Sequence, residues 1–275
     1  MCSGLSNGMP SAFWLIFHTI QDPSLLSAAR AEIEACRLPT TTSTADNLTN
    51  TDATPSSSSL PPTFDTAKLT SQPLLQSLFA ETLRKYIAVY TTRQTKYSPA
   101  QILNHTIPQD KLIMINSAIA HTDERNWNSV SRVEQKVENG DNGEEYHPVT
   151  EFWGHRFLVP STSTSTSTSN ASCSAQSSAL GVEGEGSAPR QKFSLDRYRG
   201  AWIPFGGGIH QCPARHWIKT QMLLSLAVIV SSFEIEVLCN DSIGGKGKEV
   251  EVDVGRDGLG ALYPAGKVGF RIRKR

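Results

Sequence analysis

Apolar side chains recur at helical spacing in the first part of the chain. Residues 13–20 are apolar on nearly every face, and Pro10 suits the first turn of a helix there. The pair Asp22 and Pro23 ends that helix and starts another, with Asp22 as its N-cap. Apolar positions then continue near the helical repeat as far as Cys36. The pattern predicts two consecutive helices.

Two later segments also have helical patterns. Residues 69–86 carry an apolar stripe, which predicts one helix along that whole range. Residues 217–230 are strongly apolar and predict a helix that is largely buried. The apolar runs 13–20 and 222–230 are too short to span a bilayer, so the sequence predicts no transmembrane segment.

Four short segments favour strands. Residues 87–90 and 111–115 are read as strands of a small sheet, and residues 250–254 and 268–272 alternate apolar with other side chains. Together with the helices, they predict a fold that is mainly α with a small β-sheet.

Two low-complexity stretches interrupt these elements. Residues 40–62 are rich in Thr, Ser, Asp, Asn and Pro, and residues 161–190 begin with a Ser-Thr alternation. Neither stretch has enough apolar surface to offset the entropy of ordering it. We expect both to be disordered insertions within a single domain over residues 1–275.

The composition excludes some classes of protein. The 275 residues include 26 basic and 26 acidic side chains, so no long-range field favours nucleic acid or anionic lipid. Five cysteines at irregular spacing argue against a disulfide framework and fit a reducing compartment. The N-terminus has no signal-peptide pattern. We therefore expect a cytoplasmic chain or leave the location open.

A glycine-rich loop before the last helix carries the most specific pattern. Phe205, Gly208, Cys212 and Ala214 follow the spacing Phe-x-x-Gly-x-x-x-Cys-x-Ala. Glycines let a backbone lie against a flat, bulky group, and a cysteine at a helix N-terminus suits a metal-bound thiolate. The loop resembles the haem-binding signature of the cytochrome P450 family.

This resemblance implies haem b as the cofactor, held through the Cys212 thiolate. Phe205 would pack beside the sulfur, Gly208 would let the loop approach the ring, and His210 would pair with a haem propionate. Arg93 matches a position where the family often places a propionate-binding arginine. Solvent-facing loop positions are the alternative for His210 and Arg93. Zinc bound by His210, Cys212 and His216 is a further alternative, although it lacks a fourth ligand at a usual spacing.

A second resemblance involves charged residues. Glu81 and Arg84 lie three apart on a helix, and residues 152–158 resemble the family segment Phe-x-Pro-Glu-Arg-Phe. Arg156 would join the pair in a buried structural triad that pins the helix to a loop. An ordinary surface pair is the alternative for Glu81 and Arg84. Residues 154 and 155, Gly and His, depart from the family pattern.

The first helix resembles the end of the family's distal helix. Asn7 and Pro10 are similar to the variant found in fungal members and in the sterol 7α-hydroxylase and prostacyclin synthase branch. There an asparagine near the oxygen site can take the catalytic place of the usual threonine. A helix-capping turn with no catalytic role is the alternative for Asn7. Residues 258–264 resemble the turn that reaches toward substrate, and residues 121–127 are read as a polar turn that also resembles a family segment.

The matches run in family order and correspond to the C-terminal half of the cytochrome P450 fold, truncated at its N-terminus. The resemblance implies a haem-thiolate monooxygenase that inserts one oxygen atom of O2 into a lipophilic substrate. Its electrons would come from a donor such as a cytochrome P450 reductase, and no nucleic acid is expected. Full-length relatives are usually held at the endoplasmic reticulum. A non-catalytic fragment and a haem-thiolate isomerase remain alternatives.

Overall fold

The structure is a computed structural model that describes residues 7–39, 62–127, 147–161, 191–238 and 250–275. The two predicted insertions lie outside these ranges, apart from Pro62 and Ser161 at their edges.

Residues 124–127 are helical at the edge of a described range, and six helices lie wholly within the described ranges. In chain order they are α1 (Gly8–Gln21), α2 (Pro23–Glu34), α3 (Thr66–Ser71), α4 (Pro73–Tyr86), α5 (Ser117–Thr122) and α6 (Arg215–Ser232). The first two confirm the predicted pair, and the Asp22 carboxylate caps α2 by accepting the N–H of Ser24 at 2.8 Å and of Leu25 at 3.1 Å. Helix α6 confirms the prediction over residues 217–230 and extends it at both ends.

The prediction of one helix over residues 69–86 is wrong. The chain is extended at Gln72, with φ −63° and ψ 130°, and it divides the segment into α3 and α4. Pro73 explains the break, because a proline ring disfavours helical geometry at the residue before it and cannot donate a backbone hydrogen bond. The proline instead occupies the first turn of α4, where no donor is needed.

The start of α4 is capped by another helix. Gln72, its N-cap residue, makes no side-chain capping bond. The Glu32 carboxylate of α2 accepts the N–H of Leu74 and the N–H of Leu75, both at 3.0 Å. Free N–H groups at a helix start favour an acidic partner, so this contact fixes α2 against α4.

Within the described ranges, nine short strands form several small sheets rather than one. They are β1 (Ile87–Gln94), β2 (Ala100–Ile102), β3 (His105–Ile107), β4 (Leu112–Asn116), β5 (Leu158–Pro160), β6 (Gln191–Phe193), β7 (Phe233–Leu238), β8 (Leu259–Ala261) and β9 (Gly269–Lys274). The largest sheet has the antiparallel order β4-β1-β8, and β2-β3, β5-β6 and β7-β9 form antiparallel pairs.

The strand predicted over residues 250–254 is wrong. That segment makes one isolated bridge, from Val252 to Pro264, and then enters a 3-10 turn at Val254–Arg256. The segment alternates apolar with other side chains, but it pairs with another segment only at Val252. The other three predicted strands correspond to β1, β4 and β9.

The main core lies between α1, α2, α4 and α6. Its fully buried members include Leu15 of α1, Leu75 and Leu78 of α4, and Leu226 of α6. Helices α1 and α6 approach closely at Gly8, where a Cβ would come within 2.6 Å of the Ile218 Cδ1. This packing presents the start of α1 and the start of α6 to the same region of the molecule.

Candidate active site

The loop before α6 is closed by its own backbone. The N–H of Cys212 donates to the carbonyl of Phe205 at 3.0 Å, and the N–H of Gly206 donates to the carbonyl of Ile203 at 3.1 Å. Gly206 and Gly208 have φ values of +70° and +67°, which L side chains rarely adopt. The two glycines therefore permit the tight path that brings residues 205 and 212 together.

Aromatic side chains support one side of this cysteine loop. The centroid of the Phe205 ring lies 6.5 Å from the centroid of the Phe79 ring in α4 and 6.1 Å from that of Trp202. The Trp202 Nε1 donates to the carbonyl of Ala80 at 3.0 Å. The loop is thus seated on the helix that carries Glu81.

The loop fits a thiolate-bound haem. Cys212 is half-buried and has a free thiol, three residues before α6 begins at Arg215. A helix N-terminus favours a negative group. A Cβ at Gly207 would meet nothing within 4 Å, so a flat group could approach the loop backbone there. One thiol beside an open, glycine-rich surface is the donor set that a haem-thiolate centre needs.

Strand β1 contacts the opposite side of the loop. The guanidinium of Arg93 donates to the carbonyl of Gly207, and the Thr91 hydroxyl lies 3.2 Å from where a Cβ of Gly206 would be. Arg93 is half-buried, which places a positive charge beside the loop. His210 is exposed, at the end of the short 3-10 turn Gly208–His210.

The described residues do not provide a set of ligands for the alternative zinc site. Among the described residues, no three histidine, cysteine, aspartate or glutamate side chains lie together as a metal-binding group. His210, Cys212 and His216 all belong to the described part of the chain.

The structure brings Glu81, Arg84 and Arg156 together. The Glu81 carboxylate accepts two bonds from Arg84, at 2.7 and 2.8 Å, and one from the Arg156 Nε at 3.0 Å. Side-chain exposure is 0% for Glu81 and Arg84 and 4% for Arg156. Burial disfavours the charged carboxylate, yet the two guanidiniums hold the pKa of Glu81 below its ordinary value.

Backbone carbonyls accept further hydrogen bonds from the two arginines. Arg84 donates to the carbonyls of His121 at 3.0 Å and Glu151 at 3.1 Å, and Arg156 donates to those of Pro148 and Glu151. Each charge is therefore hydrogen-bonded as well as paired, which a buried ion network needs. The network joins α4 to the end of α5 and to the segment before β5.

The glycine that departs from the family pattern has a packing reason. A Cβ at Gly154 would come within 2.9 Å of the Leu25 Cδ1 and of the Leu78 Cδ2. The carbonyl of Gly154 also accepts the Ser77 hydroxyl at 2.6 Å. A side chain at residue 154 would require the Leu25 and Leu78 side chains to shift.

His121 belongs to the same assembly, although sequence reasoning gave it no such role. Its side chain is fully buried, and its Nε2 accepts the N–H of Ile203 at 3.0 Å. Burial and the nearby Arg84 charge lower the pKa of His121 to about 4. The polar turn predicted over residues 121–127 is wrong: His121 and Thr122 end α5, and residues 124–127 are helical, with the N–H of Trp127 donating to the carbonyl of Asp123 at 3.1 Å. Only the tertiary fold brings His121 to the cysteine loop.

Asn7 lies at the N-cap position of α1 but makes no side-chain cap to that helix. Its Oδ1 accepts the N–H of Ala261 in β8 at 3.1 Å, and a Cβ at Gly260 would come within 2.2 Å of that oxygen. A backbone N–H can only donate, so the amide orientation is fixed with Oδ1 toward β8. Asn7 therefore ties the start of α1 to the segment 258–264.

Comparisons with known proteins find relatives named as cytochrome P450 monooxygenases. The chain is 35% identical over 273 residues to the cytochrome P450 monooxygenase fsoE of Humicola fuscoatra, covering 98% of this chain and 40% of that protein. It is 28% identical over 270 residues to the cytochrome P450 monooxygenase efuG of Hormonema carpetanum, covering 98% and 41%. No family model matches the chain.

The fold has a counterpart among solved structures. The crystal structure of a cytochrome P450 (CYP102L1) superposes with a TM-score of 0.57 at 19% identity, covering 98% of this chain and 42% of that one. Over nearly its whole length the chain is similar to cytochrome P450 monooxygenases, and it spans about two fifths of the length of the curated relatives it matches. No helix in the described ranges is both long and apolar enough to cross a membrane.

Proposed function

We propose that this chain carries the haem-thiolate centre of a monooxygenase that inserts one oxygen atom of O2 into a lipophilic substrate. The observation that carries the proposal is the cysteine loop: Cys212 lies half-buried at the end of a loop shaped by two positive-φ glycines, just before α6. The relatives named as monooxygenases support the reaction class. Haem b, when bound, supplies the iron at which O2 is activated.

The residues of the chain hold and shield that group. The Cys212 sulfur is its ligand, and the Phe205 ring limits the access of water from the α4 side. Arg93 and His210 offer basic groups beside the loop for the two propionates. The buried network of Glu81, Arg84 and Arg156 fixes the helix on which the loop is seated.

Asn7 supplies a polar group at the start of α1. Because its Oδ1 is used by Ala261, the Nδ2 group is the end of the amide left to serve as a donor at the oxygen site. The same residue motivates the isomerase alternative, in which a peroxide rearranges without external electrons. Turnover that requires an NADPH-dependent reductase separates the monooxygenase from the isomerase.

The central experiment is ligation of haem by Cys212. The chain is expressed with haem supplied, reduced and exposed to carbon monoxide. We expect the red-shifted Soret band of thiolate-ligated haem, and we expect Cys212→Ala to abolish it. Cys36→Ala is the matched control, because Cys36 is a free, buried thiol whose hydrogen-bond partners are Gln72 and Glu32. An unshifted band in the unaltered chain, or an unchanged band in Cys212→Ala, overturns the proposal.

The alternative of a non-catalytic fragment is tested separately. The share of the relatives that the chain spans favours it, since most of a substrate pocket would be built by other segments. Thiolate-ligated haem without any reductase-dependent oxidation of a lipophilic probe such as a fatty acid or a sterol would support this alternative. Oxidised product would exclude it.

A further inference from the structure

His121 makes hydrogen bonds to two segments of the site. Its imidazole Nε2 accepts the N–H of Ile203 at 3.0 Å, and its backbone carbonyl accepts the Arg84 Nη1 at 3.0 Å. The residue lies near the end of α5 and is fully buried. One side chain thus contacts the segment that leads into the cysteine loop while its own backbone is held by the buried ion network.

The chemistry of the contact fixes the state of the ring. Since a backbone N–H can only donate, Nε2 must be the unprotonated nitrogen, and the ring is neutral with its proton on Nδ1. Nδ1 is buried near the backbone of Arg84 and Ile87, but it makes no hydrogen bond of good geometry among the described residues. The N–H of Ile203 is therefore the well-formed hydrogen-bond partner of the imidazole in this part of the chain.

Ile203 is held at both ends of its backbone. Its N–H is bonded to His121, and its carbonyl accepts the N–H of Gly206 at 3.1 Å. Two residues later, the carbonyl of Phe205 accepts the N–H of Cys212 at 3.0 Å. A continuous series of hydrogen bonds thus runs from Arg84 through His121 and the loop backbone to the cysteine.

We propose that His121 is a positioning residue that sets the Cys212 loop through Ile203. The inference rests on the proposed function, because it assigns to His121 the geometry of the proposed thiolate ligand. Removing the acceptor would free the Ile203 peptide while leaving the bonds between Glu81 and Arg84 in place. The loop would then hold the Cys212 sulfur less precisely. Thiolate ligation would therefore be lost before the haem dissociated from the protein.

The test compares three variants of the haem-loaded chain. His121→Gln keeps an acceptor at the reach of Nε2, His121→Asn carries the same amide too short to reach Ile203, and His121→Leu removes the acceptor. The readout is the fraction of ferrous carbon-monoxide complex with the thiolate-type Soret band. In His121→Gln we expect this fraction to stay within about twofold of its value in the unaltered chain. In His121→Asn and His121→Leu we expect it to fall about tenfold, while helix content stays similar. Equal fractions of the thiolate-type complex in His121→Gln, His121→Asn and His121→Leu overturn the proposal.

A second measurement separates this proposal from the proposed function. Amide hydrogen exchange is followed in the peptide containing Ile203, in the chain without haem. We expect faster amide hydrogen exchange in that peptide in His121→Asn than in His121→Gln, and unchanged exchange within α4. If the unaltered chain never shows thiolate ligation, the proposed function fails, and the exchange data still decide whether His121 holds the loop. If His121→Leu does not fold, His121→Gln and His121→Asn still compare a chain with the acceptor to one without it. Equal exchange at Ile203 in that pair overturns the link.

Discussion

The Arg93 guanidinium of strand β1 donates a hydrogen bond to the carbonyl of Gly207 in the cysteine loop. The contact joins two parts of the chain that are 114 residues apart. It also places the positive charge of Arg93 beside the surface where the proposed haem would lie. A residue that both braces the loop and offers a charge to a propionate should affect retention of the cofactor.

We expect Arg93→Ala to weaken haem binding by about tenfold, which corresponds to the loss of roughly 1.4 kcal/mol from a charged hydrogen bond. Haem transfer to an acceptor globin measures the release rate. Thr92→Ala, at the exposed neighbouring position on the same strand, is the control. Equal release rates in the Arg93 and Thr92 variants would contradict a role for Arg93 in holding the cofactor.

The buried ion network should have a large effect on stability. Glu81→Ala leaves Arg84 and Arg156 buried without their carboxylate, and breaking such a pair costs about 3–5 kcal/mol of unfolding free energy. Denaturant titration of the chain measures the loss.

Glu34→Ala is the matched control for that experiment. Glu34 and Arg37 form an ion pair at the same three-residue spacing, but their side chains are 63% and 36% exposed. We expect a cost below about 1 kcal/mol there. Similar costs for the Glu81 and Glu34 variants would show that burial does not strengthen the network.

Gly260 should not tolerate a side chain. Its φ is +138°, and a Cβ there would lie 2.2 Å from the Asn7 Oδ1, so Gly260→Ala must displace the Asn7 amide. We expect a loss of about 1–3 kcal/mol in stability from the strained backbone and the broken contact. In the haem-loaded chain the change should also alter the low-spin to high-spin ratio of the ferric spectrum. Gly266→Ala serves as the control, since a Cβ at Gly266 would meet nothing within 4 Å. Wild-type behaviour of Gly260→Ala would argue against the tether.

Stability should fall in acid because of His18. Burial, together with the charge of Lys85, lowers the pKa of His18 from 6.5 to about 3, and its Nε2 lies 2.6 Å from the Tyr86 hydroxyl. The unfolded chain binds a proton more readily than the folded one between these values. The stabilising contribution is therefore complete above about pH 6.5 and is lost as the pH falls toward about 3.

His18→Gln should remove that part of the pH dependence. One proton corresponds to a slope of roughly 1.4 kcal/mol per pH unit, so the variant should show a shallower decline of unfolding free energy between pH 6 and pH 4, taken as roughly the middle of the window. Denaturant titrations at several pH values measure both slopes. Parallel slopes in the two proteins would mean that His18 is not buried in its neutral form.

The sequence predicted those features that rest on local chemistry. The Asp22 cap, the extent of α1 and the fold class follow from short-range patterns, and the spacing from Phe205 to Ala214 identified the loop. The break at Gln72 was equally local, since Pro73 was visible, but the apolar stripe on both sides of it masked the signal. Strand β7 was missed even though residues 233–238 alternate.

Other features depend on contacts between distant segments. His121 reaches Ile203 across 82 positions, and Asn7 reaches Ala261 across 254. No periodicity within a single element records such a partner. The missing strand at 250–254 has the same origin, because an alternating segment becomes a strand only where a neighbour offers a matching edge.

The capping of α4 by Glu32 has a consequence for the order of folding. A helix of this length is marginal by itself, and its first turn is the most costly part to form. Since the acceptor for two of its leading amides is supplied by α2, the helix that carries Glu81 gains that support only after α2 has docked. We therefore expect the ion network, and the loop seated on it, to assemble after α2 has docked on α4.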